Sequence, residues 1–216
     1  MPGVSEKNVG DERDSKTKLE ERRKQILDAS ATLFAQKSYH ATSMDDIVKG
    51  TGLSKGTLYW YFKSKKEIML GLIERSLEEA KAQMSLILED KITFAEKIQA
   101  IMAYSIDTTN CPPSDDSRTQ QMLLNTEFWR QALVDPEVNA GLTEIYDWQT
   151  RLGERLVQEA IEKGEIGEID STVLSNLVIA VLDGISLRWL LNPKGIDLTK
   201  VSDTFQEILF SWLEKK

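Results

Sequence analysis

Residues 42–67, TSMDDIVKGTGLSKGTLYWYFKSKKE, constrain the fold more than any other stretch of this 216-residue chain. They spell two short helices joined by a glycine turn, then the start of a third. Ser43 is a candidate N-cap with Asp46 three residues on, and Met44, Ile47 and Val48 share one face. Gly50, Thr51 and Gly52 end that helix, and Leu53 turns back toward a core. Ser54 can cap the second helix, where Leu58, Tyr61 and Phe62 form the buried stripe and Lys55, Thr57, Tyr59 and Trp60 face outward. Ser64 and Glu67 have the spacing of a capping box. Such a pair is the plan of a helix-turn-helix, whose second helix probes the DNA major groove.

The second helix also breaks local rules. Gly56 lies in its first turn, where alanine would be favoured by up to about 1 kcal/mol. A missing side chain there lets another backbone or a base edge come close. Tyr59 and Trp60 are too many large rings for so short a helix to bury, and Lys55, Lys63, Lys65 and Lys66 surround them. That mixture suits a phosphate-and-groove surface. The competing reading is a packed helical corner with a solvated lysine face.

Residues 26–69 resemble the DNA-binding domain of the TetR family of bacterial transcriptional regulators. The likeness is carried by Ile26, Ala29, Leu33 and Phe34, by Tyr39, Ala41 and Thr42, by the turn, and by the run from Gly56 through Tyr61, Phe62, Ser64 and Lys65. One departure is Thr51-Gly52-Leu53, where Ala-Gly-Val is commoner. The resemblance implies phosphate and base contacts at Thr42, Ser43, Ser54, Lys55, Gly56, Thr57, Tyr59, Trp60 and Lys66. It also implies a C-terminal body that holds a small effector and pairs with a second copy through its last two helices.

A net charge of −8 argues at first against nucleic acid, but its distribution points the other way. Residues 17–66 hold ten basic and five acidic side chains, whereas residues 67–216 carry a balance of −12. A basic head on an acidic body orients itself on a polyanion. The single cysteine, Cys111, stands between Asn110 and Pro112-Pro113 and reads as an inert loop thiol, with a redox sensor or an intermolecular disulfide as the alternative. The single histidine, His40, cannot build a histidine metal site or a Ser-His relay. No glycine-rich phosphate loop appears, so neither an enzyme nor a cofactor is expected. The polar N-terminus and the lack of an uncharged apolar run of about 18 residues point to the cytoplasm.

Three domains are expected: a disordered tail over residues 1–16, the DNA-binding head over 17–64, and a helical body over 65–216. Helix one should cover about 18–36. The helix from Lys65 has apolar residues at three- and four-residue steps to Leu88, spans about 35 Å, and reads as a lever between head and body. Further helices are expected over 93–108, 117–133, from Asp135-Pro136 to Gly164, over 171–191, and over 198–213. The fold class is all-α, with about nine helices and no strand.

The segment 171–191 is apolar nearly all round and must be covered on more than one side. Paired with the last helix as a hairpin, it can form a four-helix interface with a second copy. The residues assigned to that interface are Leu174, Val178, Val181, Ile185, Phe205, Ile208, Leu209 and Trp212, with a monomer core built from the same segments as the alternative. The effector site is assigned to Tyr104, Met122, Asn125, Phe128, Trp129, Tyr146 and Trp148, where aromatic and polar residues mix on inner faces, with an ordinary core as the alternative. These features point to a dimeric DNA-binding repressor released from a palindromic operator by a small molecule. A co-activator or nucleoid-associated factor that acts through a protein partner is the second reading.

Overall fold

The computed structural model describes residues 6–89, 93–106 and 117–213, with side chains over 17–89, 93–105 and 119–213. Cys111 and its loop lie outside the described residues. Among those described there are nine helices and no strand: α1 (Glu6–Lys37), α2 (Met44–Thr51), α3 (Lys55–Tyr61), α4 (Lys65–Leu88), α5 (Phe94–Ile106), α6 (Ser117–Ala132), α7 (Pro136–Glu162), α8 (Ser171–Leu191) and α9 (Leu198–Leu213). The all-α expectation is met. Helix α1 begins at Glu6, well ahead of the expected residue 18, through a stretch whose sequence has no apolar stripe.

The chain divides into two compact units, Met1–Leu72 and Ile73–Lys216, and α4 contributes to both. The first unit is built on Ile26, Leu27, Phe34, Ile47, Leu58, Phe62, Ile68, Met69 and Leu72, all nearly or fully buried. Local chemistry fixes its corners. Ser43 and Asp46 form a complete capping box at the start of α2. Gly52 ends α2 at a φ of 67°, a left-handed conformation in which glycine alone is unstrained, and its amide donates to the Val48 carbonyl. Ser54 caps α3 by accepting from the Thr57 amide at 3.0 Å. Ser64 accepts from the Glu67 amide, while the Glu67 carboxylate accepts from the Lys63 amide, one residue ahead of the cap.

In the second unit α7 packs on α6 and α8, and α5 packs on α9, α8 and α7. Asp135 opens α7 by accepting from the amides of Glu137 and Val138, with Pro136 in the first turn. Gly164, at a φ of 69°, turns the chain out of it. Helices α7 and α8 approach closely where Gly153 faces Ser175: a Cβ on Gly153 would lie 2.8 Å from the Ser175 Cβ. The Lys97 ammonium, buried on α5, reaches both carboxylate oxygens of Glu159 on α7 at 3.1 Å. Hydrogen bonds from Lys163 first, and then from Lys97, hold the Glu159 carboxyl below its ordinary range. Glu165 accepts from the Phe94 amide at 2.6 Å and ties the start of α5 to the end of α7.

Candidate functional site

In the first unit, α3 turns Leu58 fully into the core and leaves the opposite face uncovered. Trp60 is 62% exposed and stands edge-on to Tyr61, with ring centroids 4.6 Å apart. Gly56 is exposed, and a Cβ there would meet nothing nearer than the Ser54 Oγ at 3.9 Å. Among the described residues, nothing therefore requires a glycine at this position. Gly71 is different, because a Cβ there would crowd Phe62 at 3.2 Å and Leu27 at 3.3 Å. Lys55 is exposed on the same face and pairs with Asp45 at 2.8 Å. Lys63 bends back to donate to the Tyr59 carbonyl at the end of α3. The result is an outward helix face made of a bare backbone, an indole and ammonium groups.

The second unit holds a partly open pocket of about 290 Å³. Its wall is mostly aliphatic and comes from α4 to α9, with Met84, Ile98, Leu156 and Leu182 among the lining residues. The polar part of the lining comprises Tyr104, Ser105, Asn125, Gln149, Ser175, Asp183 and Ser186. Asp183 accepts from the Tyr146 hydroxyl at 2.9 Å, and that oxygen in turn accepts from the Trp129 indole N–H at 2.7 Å. Burial pushes the Asp183 carboxyl above its ordinary range, against the pull of the Tyr146 hydrogen bond. Burial first, and then the Asp183 charge, push the Tyr146 phenol up as well. The Oε1 of Gln149 is buried without a hydrogen-bond partner.

Residues 26–72 match the model for bacterial regulatory proteins of the tetR family, and residues 105–213 match that for the C-terminal part of BetI-type transcriptional repressors. The second match alone spans half of the chain. The protein belongs to the TetR family. It is 24% identical over 193 residues to the fatty acid metabolism regulator protein of Bacillus subtilis, covering 89% of this chain and 95% of that one. Its fold is similar to that of the B. subtilis regulator FadR in complex with stearoyl-CoA, with a TM-score of 0.70, 26% identity, and 87% and 97% of the two chains covered. It is also similar to a regulator from Saccharomonospora viridis in complex with choline, with a TM-score of 0.76, 19% identity, and 88% and 96% covered. As a TetR-family member it is a DNA-binding transcriptional regulator.

Set on this TetR-family frame, the DNA-contact residues inferred from sequence do not all lie on one surface. Ser43, Ser54, Lys55, Gly56 and Trp60 are exposed, and Thr57, Tyr59 and Lys66 are half-buried. Thr42 differs from the others. It is only 1% exposed, and its hydroxyl donates to the Ser38 carbonyl at 2.8 Å, just past the end of α1. Ser38 is the one non-glycine residue at positive φ among those described, so Thr42 braces that turn from inside. Lys65 also turns inward: its ammonium donates to the Tyr39 carbonyl at 2.6 Å and lies 4.5 Å from the centre of the Tyr39 ring.

Of the expected effector residues, Tyr104, Asn125 and Trp148 line the cavity. Trp129 and Tyr146 are not in its lining but are linked by hydrogen bonds to Asp183, which is. Phe128 is buried in the core, and Met122 is half-buried; neither lines the cavity. Sequence reasoning missed Asp183 and Gln149 as wall residues. The one available signal was Asp183 itself, a lone acid within an apolar helix.

The expected pairing residues fall into three groups in the single chain. Leu174 and Leu209 are buried and line the cavity, and Val178, Ile185 and Phe205 pack against the core. Val181 is half-buried, while Ile208 and Trp212 are exposed. The exposed apolar stripe of α8 runs through Val173, Leu177, Ala180, Gly184, Leu187 and Leu191. A helix apolar on every side does not reveal from sequence which stripe meets its own chain.

Proposed function

We propose that this regulator is a homodimeric repressor that leaves a palindromic operator when a small molecule fills the cavity of the second unit. Gly56 carries the DNA part of the reading. It forgoes up to about 1 kcal/mol of helix stability although a methyl group would fit within the chain. A requirement from outside the chain accounts for that choice, and close approach of a DNA backbone is such a requirement. Thr57 and Tyr59 would read base edges beside it, and Lys66 would hold a phosphate.

The dimer reading rests on the outer faces of α8 and α9. The α8 stripe advances in alternating four- and three-residue steps, the spacing of a helix-packing seam. Ile208, at 64% exposure, and Trp212, at 43%, extend the apolar surface onto α9. By length and composition α8 could also cross a membrane. The Asp183 carboxylate in its middle, held by Tyr146, favours instead a helix with one face on its own chain and one on a second copy, in the cytoplasm. Two probe helices spaced by about one DNA turn, roughly 34–36 Å, would then read both half-sites from one side. A ligand that prefers a different spacing lowers operator affinity by its differential binding to the two states.

Selection from a random duplex library tests this directly. The reading expects a two-fold symmetric site bound by an even number of chains. An asymmetric site bound by one chain would refute the dimer, and no enrichment at all would refute sequence-specific binding.

A further inference from the structure

The cavity wall carries one charge among the described residues, the Asp183 carboxylate; no lysine, arginine or histidine lines it. One carboxylate oxygen, Oδ2, takes the Tyr146 hydroxyl, which leaves Oδ1 for another donor. A partly buried carboxylate without a cation is unfavourable in an aliphatic surround. The buried Oε1 of Gln149 adds a second acceptor without a partner. A flipped Gln149 amide would offer its NH₂ instead, so Asp183 alone sets the sign of charge that the site prefers. A carboxylate or phosphate ligand would bring like charge to a desolvated acid.

We propose that the effector presents a protonated amine to Asp183, with Gln149 as a further polar contact, and lays an apolar body along the aliphatic wall. At about 30 Å³ per water-sized group, the cavity has room for roughly ten heavy atoms. This deepens the effector part of the reading above and rests on it. Ser186 lines the same wall one helical turn after Asp183, which places a second adjustable position beside the carboxylate.

Octylamine, octan-1-ol and octanoate share one chain and differ in the head group. Their binding to the full-length protein is measured by titration calorimetry, and operator binding is followed in the same samples. The amine should bind at least about tenfold more tightly than the other two, as expected for a desolvated charge pair. Asp183→Asn should abolish that preference and leave octan-1-ol within about twofold. Ser186→Lys, which brings an internal ammonium to Asp183, should weaken the amine selectively and serves if Asp183→Asn does not fold. Octanoate binding as tightly as the amine would overturn the inference, as would a preference that survives both variants or an absence of binding by all three. If octanoate releases the operator and octylamine does not, the head-group inference fails and the release reading stands. If octylamine binds with the expected preference but leaves operator affinity unchanged, the release reading fails and the head-group inference stands.

Discussion

The Tyr146 hydroxyl on α7 donates to the Asp183 carboxylate on α8 at 2.9 Å, and the Trp129 indole N–H donates to that same hydroxyl at 2.7 Å. One oxygen thus joins three helices and orients the only charge on the described cavity wall. Tyr146→Phe leaves the Trp129 N–H and the Asp183 Oδ2 without a partner while keeping the ring volume. The loss should be about 1–3 kcal/mol, read by urea denaturation against wild type with the slope unchanged. A loss below about 0.5 kcal/mol, the scale of an ordinary surface substitution, would mean that the relay does not form in solution.

Asp183 also gives stability a pH dependence of a definite sign. Its folded-state pKa is raised above the ordinary 3.8, chiefly by burial. The folded protein then holds this proton more tightly than the unfolded chain, so stability from this group is greatest in acid and falls as pH rises through the raised value. Asp183→Asn should remove that fall and flatten the stability profile from about pH 4 upward. Chemical denaturation at a series of pH values checks it, with a steeper fall in the variant as the contrary result.

Gly56→Ala should separate folding from function. The new methyl meets only the Ser54 Oγ, at an ordinary contact distance of 3.9 Å, so the protein should gain about 0.5–1 kcal/mol in thermal or chemical unfolding. Operator affinity should fall at the same time, by tenfold or more if the methyl clashes with the DNA backbone at a cost of about 1.4 kcal/mol. A variant that is both more stable and unimpaired on DNA would remove Gly56 from the interface.

Leu177→Glu and Leu174→Glu, three residues apart on α8, should fail in different ways. Leu177 is exposed, so a charge there should give folded monomers that bind DNA weakly. Leu174 is 3% exposed, and an unpaired carboxylate there should lower stability by several kcal/mol. Sedimentation and circular dichroism tell the two outcomes apart. A dimeric Leu177→Glu protein would place the interface elsewhere.

How much the sequence disclosed depended on the range of the interaction. The corners of the first unit were readable because each is closed within four residues: Ser43 with Asp46, Gly52 with Val48, Ser54 with Thr57. Asp135-Pro136 announced α7 for the same reason. The hydroxyl of Thr42, expected from its motif position at the DNA, donates to the Ser38 carbonyl in the free chain, a contact that the motif does not record. The faces of α8 were illegible because leucine, valine and isoleucine occur on all of them. The Trp129–Tyr146–Asp183 relay joins residues 17 and 37 apart in sequence, and no local pattern brings them together. The extension of α1 back to Glu6 had no apolar periodicity to announce it.

The central claim is sequence-specific DNA binding through the α3 face, and a salt series on fragments of the region upstream of the protein's own gene tests it most directly. Saturable binding to one palindromic segment by an even number of chains is predicted, with log affinity falling steeply against log salt. Lys66→Ala should make that slope shallower by about 1 while weakening all sequences alike, whereas changes at Thr57 or Tyr59 should alter which sequence is preferred. Weak binding that is equal on every fragment, or a slope indifferent to Lys66, would contradict it.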